Sequence, residues 1–119
     1  MPVNRISAGA LNKIIKGQLR TKTTCIIQFY SNGCHLCHNL KEYYEGVADD
    51  YPEVHFFAFN VGDDPSIEKR LKFSGVPSIV MIKTGTSKPK IRSLADPEDP
   101  NKETWFRVSD IKNFIEKEK

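Results

Sequence analysis

The stretch Cys25-Ile26-Ile27-Gln28-Phe29-Tyr30-Ser31-Asn32-Gly33-Cys34-His35-Leu36-Cys37 sets an apolar run directly before two closely spaced cysteines. Cys25 to Tyr30 is apolar on both faces, which predicts a central strand covered by helices on each side rather than one with a wet face. Ser31-Asn32-Gly33 breaks it. Beyond the break Leu36, Leu40, Tyr43 or Tyr44, Val47 and Tyr51 recur at helical spacing. They predict a helix that starts at or just after Cys34 and stops before Pro52. Two cysteines at a strand-to-helix junction, two residues apart, form a candidate redox pair whose sulfurs can meet within one helical turn.

Working outward, Ala10, Leu11, Ile14, Ile15 and Leu19 predict an amphipathic helix from Ser7, its N-cap, to about Gln18. Downstream, Val54–Val61 is a second nearly continuous apolar strand, closed by the turn Gly62-Asp63-Asp64-Pro65. A short helix with Ile67 and Leu71 inward follows. Gly75-Val76-Pro77 then opens a strand over Ser78–Ile82, and Lys83-Thr84-Gly85-Thr86 is a turn. The next strand lies at Lys90–Leu94 or at Thr104–Val108, and the pattern is compatible with both. Asp96–Lys102 carries proline and charge with nothing to bury, so it is expected to be a loop. Ser109 is the expected N-cap of a terminal helix that buries Ile111, Phe114 and Ile115 and places Asp110 in its first turn.

The expected fold class is therefore α/β, a mixed central sheet of four to five strands flanked by helices on both faces. A strand, crossover helix and strand in one sheet should pair parallel, and the last two strands, joined by a turn, antiparallel. A length of 119 residues with 39% hydrophobic content suits one domain spanning 1–119 with a core of its own. Eighteen basic and 15 acidic residues give a formal charge of +3 without a long block of one sign, so no nucleic-acid partner is expected. Lys13, Lys16, Arg20 and Lys22 are read as a solvated helix face. Three cysteines are too few for a disulfide framework. Cys25, the odd one, is expected to be a small apolar core residue. No run approaches the roughly 20 apolar residues that span a bilayer, and the opening residues do not resemble a cleavable signal. These features predict a cytoplasmic protein, monomeric and without membrane contact, in which a disulfide between Cys34 and Cys37 would be transient.

Cys34-His35-Leu36-Cys37 at its strand-to-helix junction, with Gly75-Val76-Pro77 ahead of a later strand and this order of elements, resembles the thioredoxin family over roughly residues 6–118. The resemblance implies a thioredoxin fold, a cis Val76–Pro77 bond beside the cysteines, and thiol–disulfide exchange on protein substrates with no cofactor. Electrons would come from a dithiol or a reductase. Cys34, at the helix N-terminus, would be the nucleophile, because unpaired N–H groups and the helix dipole stabilise its thiolate. Cys37, one turn further in, would resolve the mixed disulfide. The backbone of Val76 would pair with an extended substrate segment, Gly75 giving access, Pro77 guarding the cysteines and Leu36 completing an apolar rim.

Several positions depart from the family pattern. His35-Leu36 stands where thioredoxins usually carry Gly-Pro, and a protonated His35 would favour the Cys34 thiolate and raise the reduction potential. The usual buried aspartate six residues before the first cysteine is Gln28, which cannot act as a base. The lysine that accompanies it maps onto Ala58, so both members of the ion pair are absent together. Cys37 would then lose its proton through water, oriented by Gln28 or His35. Gly33 replaces the tryptophan that usually precedes the first cysteine and opens the surface there.

Other readings compete. Cys34-His35-Leu36-Cys37-His38 also fits covalent haem attachment with His38 as axial ligand, against which stand the sheet-rich pattern and the lack of an export signal. Zinc held by Cys34, Cys37 and His38 lacks a fourth ligand at usual spacing, since Cys25 and His55 fall on strands. A thioredoxin-fold binding or scaffold subunit with incidental redox chemistry is the main alternative, with the long connection from Leu94 to Thr104 as a docking element or a tolerated surface insertion.

Overall fold

A computed structural model of the chain describes residues 3–85 and 88–119. Its elements are β1 (Asn4–Arg5), α1 (Ala8–Ile15), β2 (Thr24–Tyr30), α2 (His35–Asp49), β3 (His55–Asn60), a 3-10 turn (Val61–Asp63), α3 (Ile67–Leu71), β4 (Ser78–Lys83), β5 (Lys90–Ser93) and α4 (Val108–Glu118). The strands form one mixed sheet in the order β1-β3-β2-β4-β5, with β2 at its centre. β1 and β2 each pair parallel with β3, while β4 runs antiparallel to both β2 and β5.

Alternation along the strands divides the core between the two sheet faces. Ile26, Phe56, Ile79 and Met81 pack under α2 and α4 with Leu40, Val47, Ile111 and Ile115. Ile27, Phe29, Phe59, Val80 and Ile82 pack under α1 and α3 with Leu11, Ile14, Ile67 and Leu71. The doubly apolar run at Cys25–Tyr30 is thus the strand covered on both sides. Among the described residues no helix is long and apolar enough to cross a membrane.

The second crossover departs from the parallel expectation. β3 ends at the same edge of the sheet as β2, and α3 has five residues, or about 7.5 Å at 1.5 Å per residue. That is too short to carry the chain back along strands of about 20 Å. β4 therefore starts where β2 ends, with Ser78 opposite Phe29, and runs the other way. This reversal brings Val76-Pro77 to the cysteine end of the sheet.

The ends of the elements differ in detail from the sequence expectation. β1 was not expected: two residues give no period, and it is identified by pairing, Asn4 with Phe57 and Arg5 with Ala58. Ser7 caps α1 as expected, its hydroxyl accepting from the Ala10 N–H at 3.1 Å, but the helix stops at Ile15 ahead of Gly17, whose φ is 73°. Of the two candidate last strands, Lys90–Ser93 is the strand. Thr104–Val108 is not a strand: Thr104 and Trp105 lie in a tight turn closed by a bridge between Asn101 and Trp105, and Val108 already belongs to α4. The N-cap of α4 is Arg107 and not Ser109, because the Asp110 carboxylate accepts from the Arg107 N–H at 2.8 Å and closes the turn two residues earlier. The turn expected over 83–86 ends in Thr86, outside the described residues.

Candidate active site

Cys34 is the N-cap of α2. Its backbone is extended (φ −87°, ψ 98°), and its Sγ accepts from the Cys37 N–H at 3.0 Å. The loop ahead of it is fixed by Asn60 on β3, whose Nδ2 donates to Asn32 Oδ1 at 3.0 Å, and by the Cys34 N–H, which donates to the Ser31 carbonyl at 3.2 Å. Cys34 and Cys37 are joined in a disulfide with Cα atoms 5.2 Å apart. The two sulfurs see different surroundings: Cys34 is half-buried, whereas Cys37 is only 4% exposed. On reduction the Cys37 N–H and the positive end of α2 lie against Cys34, the arrangement that favours a thiolate.

Around the pair, the Val76–Pro77 peptide bond is cis, with Pro77 buried and Val76 half-buried. Gly75 is exposed at a φ of 80°, a conformation that side chains beyond glycine seldom adopt. Its N–H donates to Glu68 Oε2, and its carbonyl accepts from the Ser78 hydroxyl at 2.8 Å. Leu36 is half-buried and His35 exposed. Gly33 is exposed too, and a Cβ built there would meet nothing within 4 Å, so the surface beside Cys34 is open.

Gln28 is 4% exposed and faces α2 from the centre of the sheet, directly opposite Ala58 on β3. With no lysine side chain at 58, the space between sheet and α2 is a cavity of about 380 Å³, walled in part by Gln28, Ala58, Cys37 and His38. His35 is not on this wall. Tyr44 sits deeper, its hydroxyl shared between the Ile26 carbonyl at 3.1 Å and the Phe57 carbonyl at 2.8 Å, and burial pushes its phenol well above the usual range. Cys25 lies toward the opposite end of β2, next to His55 on β3, and burial pushes its thiol up to about 11. Tyr44 shares the cavity wall with Cys37, whereas Cys25 is not on that wall. Sequence reasoning placed His38 only as a metal or haem ligand. Its signal as a cavity residue was the helical spacing of 37, 38, 41, 44 and 45 together with alternate strand positions 28 and 30.

The thioredoxin family model matches residues 6–102. A thioredoxin H-type from Fagopyrum esculentum is 29% identical over 66 residues, 56% of this chain and 57% of that protein, so the match spans little more than half of that relative's length. The solved thioredoxin of Fasciola hepatica aligns at a TM-score of 0.69 and 20% identity, over 98% of this chain and 99% of that one. Chloroplastic thioredoxin z aligns at 0.67 and 21% identity, over 98% and 94%. Likeness at these identities bears on the fold, and the fold here carries a Cys-x-x-Cys disulfide at the start of its second helix. The family match over most of the chain, with this sheet order and this disulfide, makes the protein a member of the thioredoxin family.

Proposed function

We propose that the protein is a thiol–disulfide oxidoreductase that reduces or exchanges protein disulfides. The observation that carries this is the asymmetric pair: a half-buried Cys34 at a helix N-terminus, disulfide-bonded to a buried Cys37. In the reduced protein the Cys34 thiolate attacks one sulfur of a substrate disulfide, and the other leaves as a thiolate that takes up a proton. Cys37 then loses its proton and attacks Cys34 Sγ. The second substrate thiol is released and two electrons have passed from protein to substrate. A dithiol or a reductase returns them.

An extended substrate segment would lie along Val76, with Gly75, Gly33 and Leu36 framing the approach to Cys34 and Pro77 held beneath. The open surface at Gly33 supports a partner that brings its own apolar side chain to that spot. The protein works as a monomer in a reducing, cytoplasmic setting, which keeps the pair cycling instead of permanently oxidised.

Reduction of insulin disulfides with a dithiol donor tests the activity. Cys34→Ser is expected to abolish turnover, and Cys37→Ser to accumulate covalent mixed disulfides. If neither the parent nor any variant exchanges with protein disulfides, the activity is excluded. If the Cys34→Ser, Cys37→Ser double variant still supports the biological role, the fold serves as a scaffold.

A further inference from the structure

Resolution requires that a buried thiol give up its proton, and the usual buried carboxylate is Gln28. The cavity of about 380 Å³ behind Cys37 is many times the roughly 30 Å³ that a water molecule takes up in the liquid, and Gln28, Asn32, His38 and Glu45 on its otherwise mostly apolar lining offer water polar partners. A proton leaving Cys37 therefore has a route, and the question is where it goes.

Every titratable group around the cavity can be considered. Arg5 faces it from β1 and Tyr30 from β2, while Lys41, Tyr44 and Glu45 face it from α2 beside His38. Guanidinium and ammonium groups accept no proton. Phenols are protonated at neutral pH, and the Tyr44 hydroxyl is also engaged with two carbonyls. Two acceptors remain, His38 and Glu45. Glu45 stands eight residues along α2 from Cys37, about 12 Å at 1.5 Å per residue. Imidazole, at about 6.5, is the better matched acceptor near neutrality. His38 also directly follows Cys37 in α2.

We propose that His38 is the proton acceptor for the Cys37 thiol in the resolving step, through water in this cavity, with the Gln28 amide positioning that water. The inference rests on the oxidoreductase reading above. The Cys37 S–H proton passes through water to a neutral imidazole nitrogen. The sulfur electron pair forms the bond to Cys34 Sγ, and the bond from Cys34 to the substrate sulfur breaks with its electrons on the departing thiolate. His38 and His35 are both exposed, but only His38 is on the cavity wall, so His35 is not the acceptor.

The reduced protein treated with dithiobis(nitrobenzoate) separates the steps without any protein substrate. A first thionitrobenzoate is released as Cys34 attacks, and a second as Cys37 closes the ring. In His38→Ala the first release is expected to match the parent and the second to be about tenfold slower near neutral pH. The rise of the second rate between about pH 5 and 8 should also be lost. Added imidazole should restore closure in a concentration-dependent way, as should Gln28→Asp in the His38→Ala background. A closure profile of His38→Ala that superposes on the parent overturns the assignment, and so does equal slowing of both releases. Normal ring closure without insulin reduction would count against the protein-disulfide activity while leaving the assignment of His38 in place.

Discussion

Cys25 and Cys37 are both buried, yet only one has a neighbour to react with and a cavity to lose a proton into. Cys25 sits on β2 at 2% exposure, and desolvation raises its thiol to about 11. Because the folded value lies above the unfolded one, burial of this neutral thiol favours the fold at all pH below the ordinary thiol range. That contribution fades as pH rises through about 11. At pH near 8 its thiolate population is about a hundredfold below that of a free thiol. Iodoacetamide applied to the reduced, native protein is therefore expected to label Cys34 and spare Cys25, with Cys25 modified only after denaturation. Peptide mass analysis checks this, and fast native labelling of Cys25 would contradict it. The roles of single residues were unevenly legible in the sequence. Burial of Cys25 follows from its apolar run, and the missing carboxylate at Gln28 follows from the resemblance to the thioredoxin family. The role proposed for His38 was not legible, because the cavity it borders is built from four separate elements, β1, β2, α2 and β3.

At the scale of elements, α2 is held to the sheet by more than apolar contact. The Tyr44 hydroxyl reaches the carbonyls of Ile26 on β2 and Phe57 on β3, fastening the redox helix across the two central parallel strands. Tyr44→Phe removes the only donor of that pair of contacts and is expected to cost about 1 to 2 kcal/mol. Urea unfolding should show a lower midpoint at unchanged slope. At its other end, α2 leads to Tyr51, whose hydroxyl donates to Glu116 Oε2 on α4 at 2.7 Å. That bond pushes the phenol up to about 12 and holds the Glu116 carboxyl below its usual range. Helices with strong periods are legible in kind, and α2 nearly in length, whereas α1 stops at Ile15 short of the expected Gln18. Their ends are not legible, since α4 begins where Asp110 finds a free N–H and not where serine stands.

For the molecule as a whole, the order of elements was legible because each long element has its own period. The direction in which β4 runs was not, since it depends on α3 being too short to return along the sheet. In the connection between β5 and α4, Asp96–Lys102 reads as a loop and Thr104–Val108 as a candidate strand, and part of the connection is exposed. Its end, however, enters the core: Phe106 is 1% exposed among the residues of α2, α4 and the sheet, with Leu94 and Trp105 packed against the same cluster. Asn39 on α2 ties the loop down by donating to the Glu103 carbonyl at 2.8 Å. Phe106→Ala is expected to cost about 3 to 5 kcal/mol, a large share of the roughly 5 to 15 kcal/mol that holds a domain folded. A melting temperature within a degree of the parent would show that this segment is the surface insertion its composition suggests.

The sheet ends on one side in β1, two exposed residues including Arg5, and on the other in β5, where Lys90 and Arg92 are exposed. Such rims leave few free backbone groups for a neighbouring molecule to pair with and place charged side chains, Arg92 paired with Glu118 among them, where a second copy would dock. Crowding should therefore leave the protein dispersed. Trimming the chain past Arg5 would bare the flank of the aromatic strand His55–Asn60 and turn a well-behaved solute into one that aggregates.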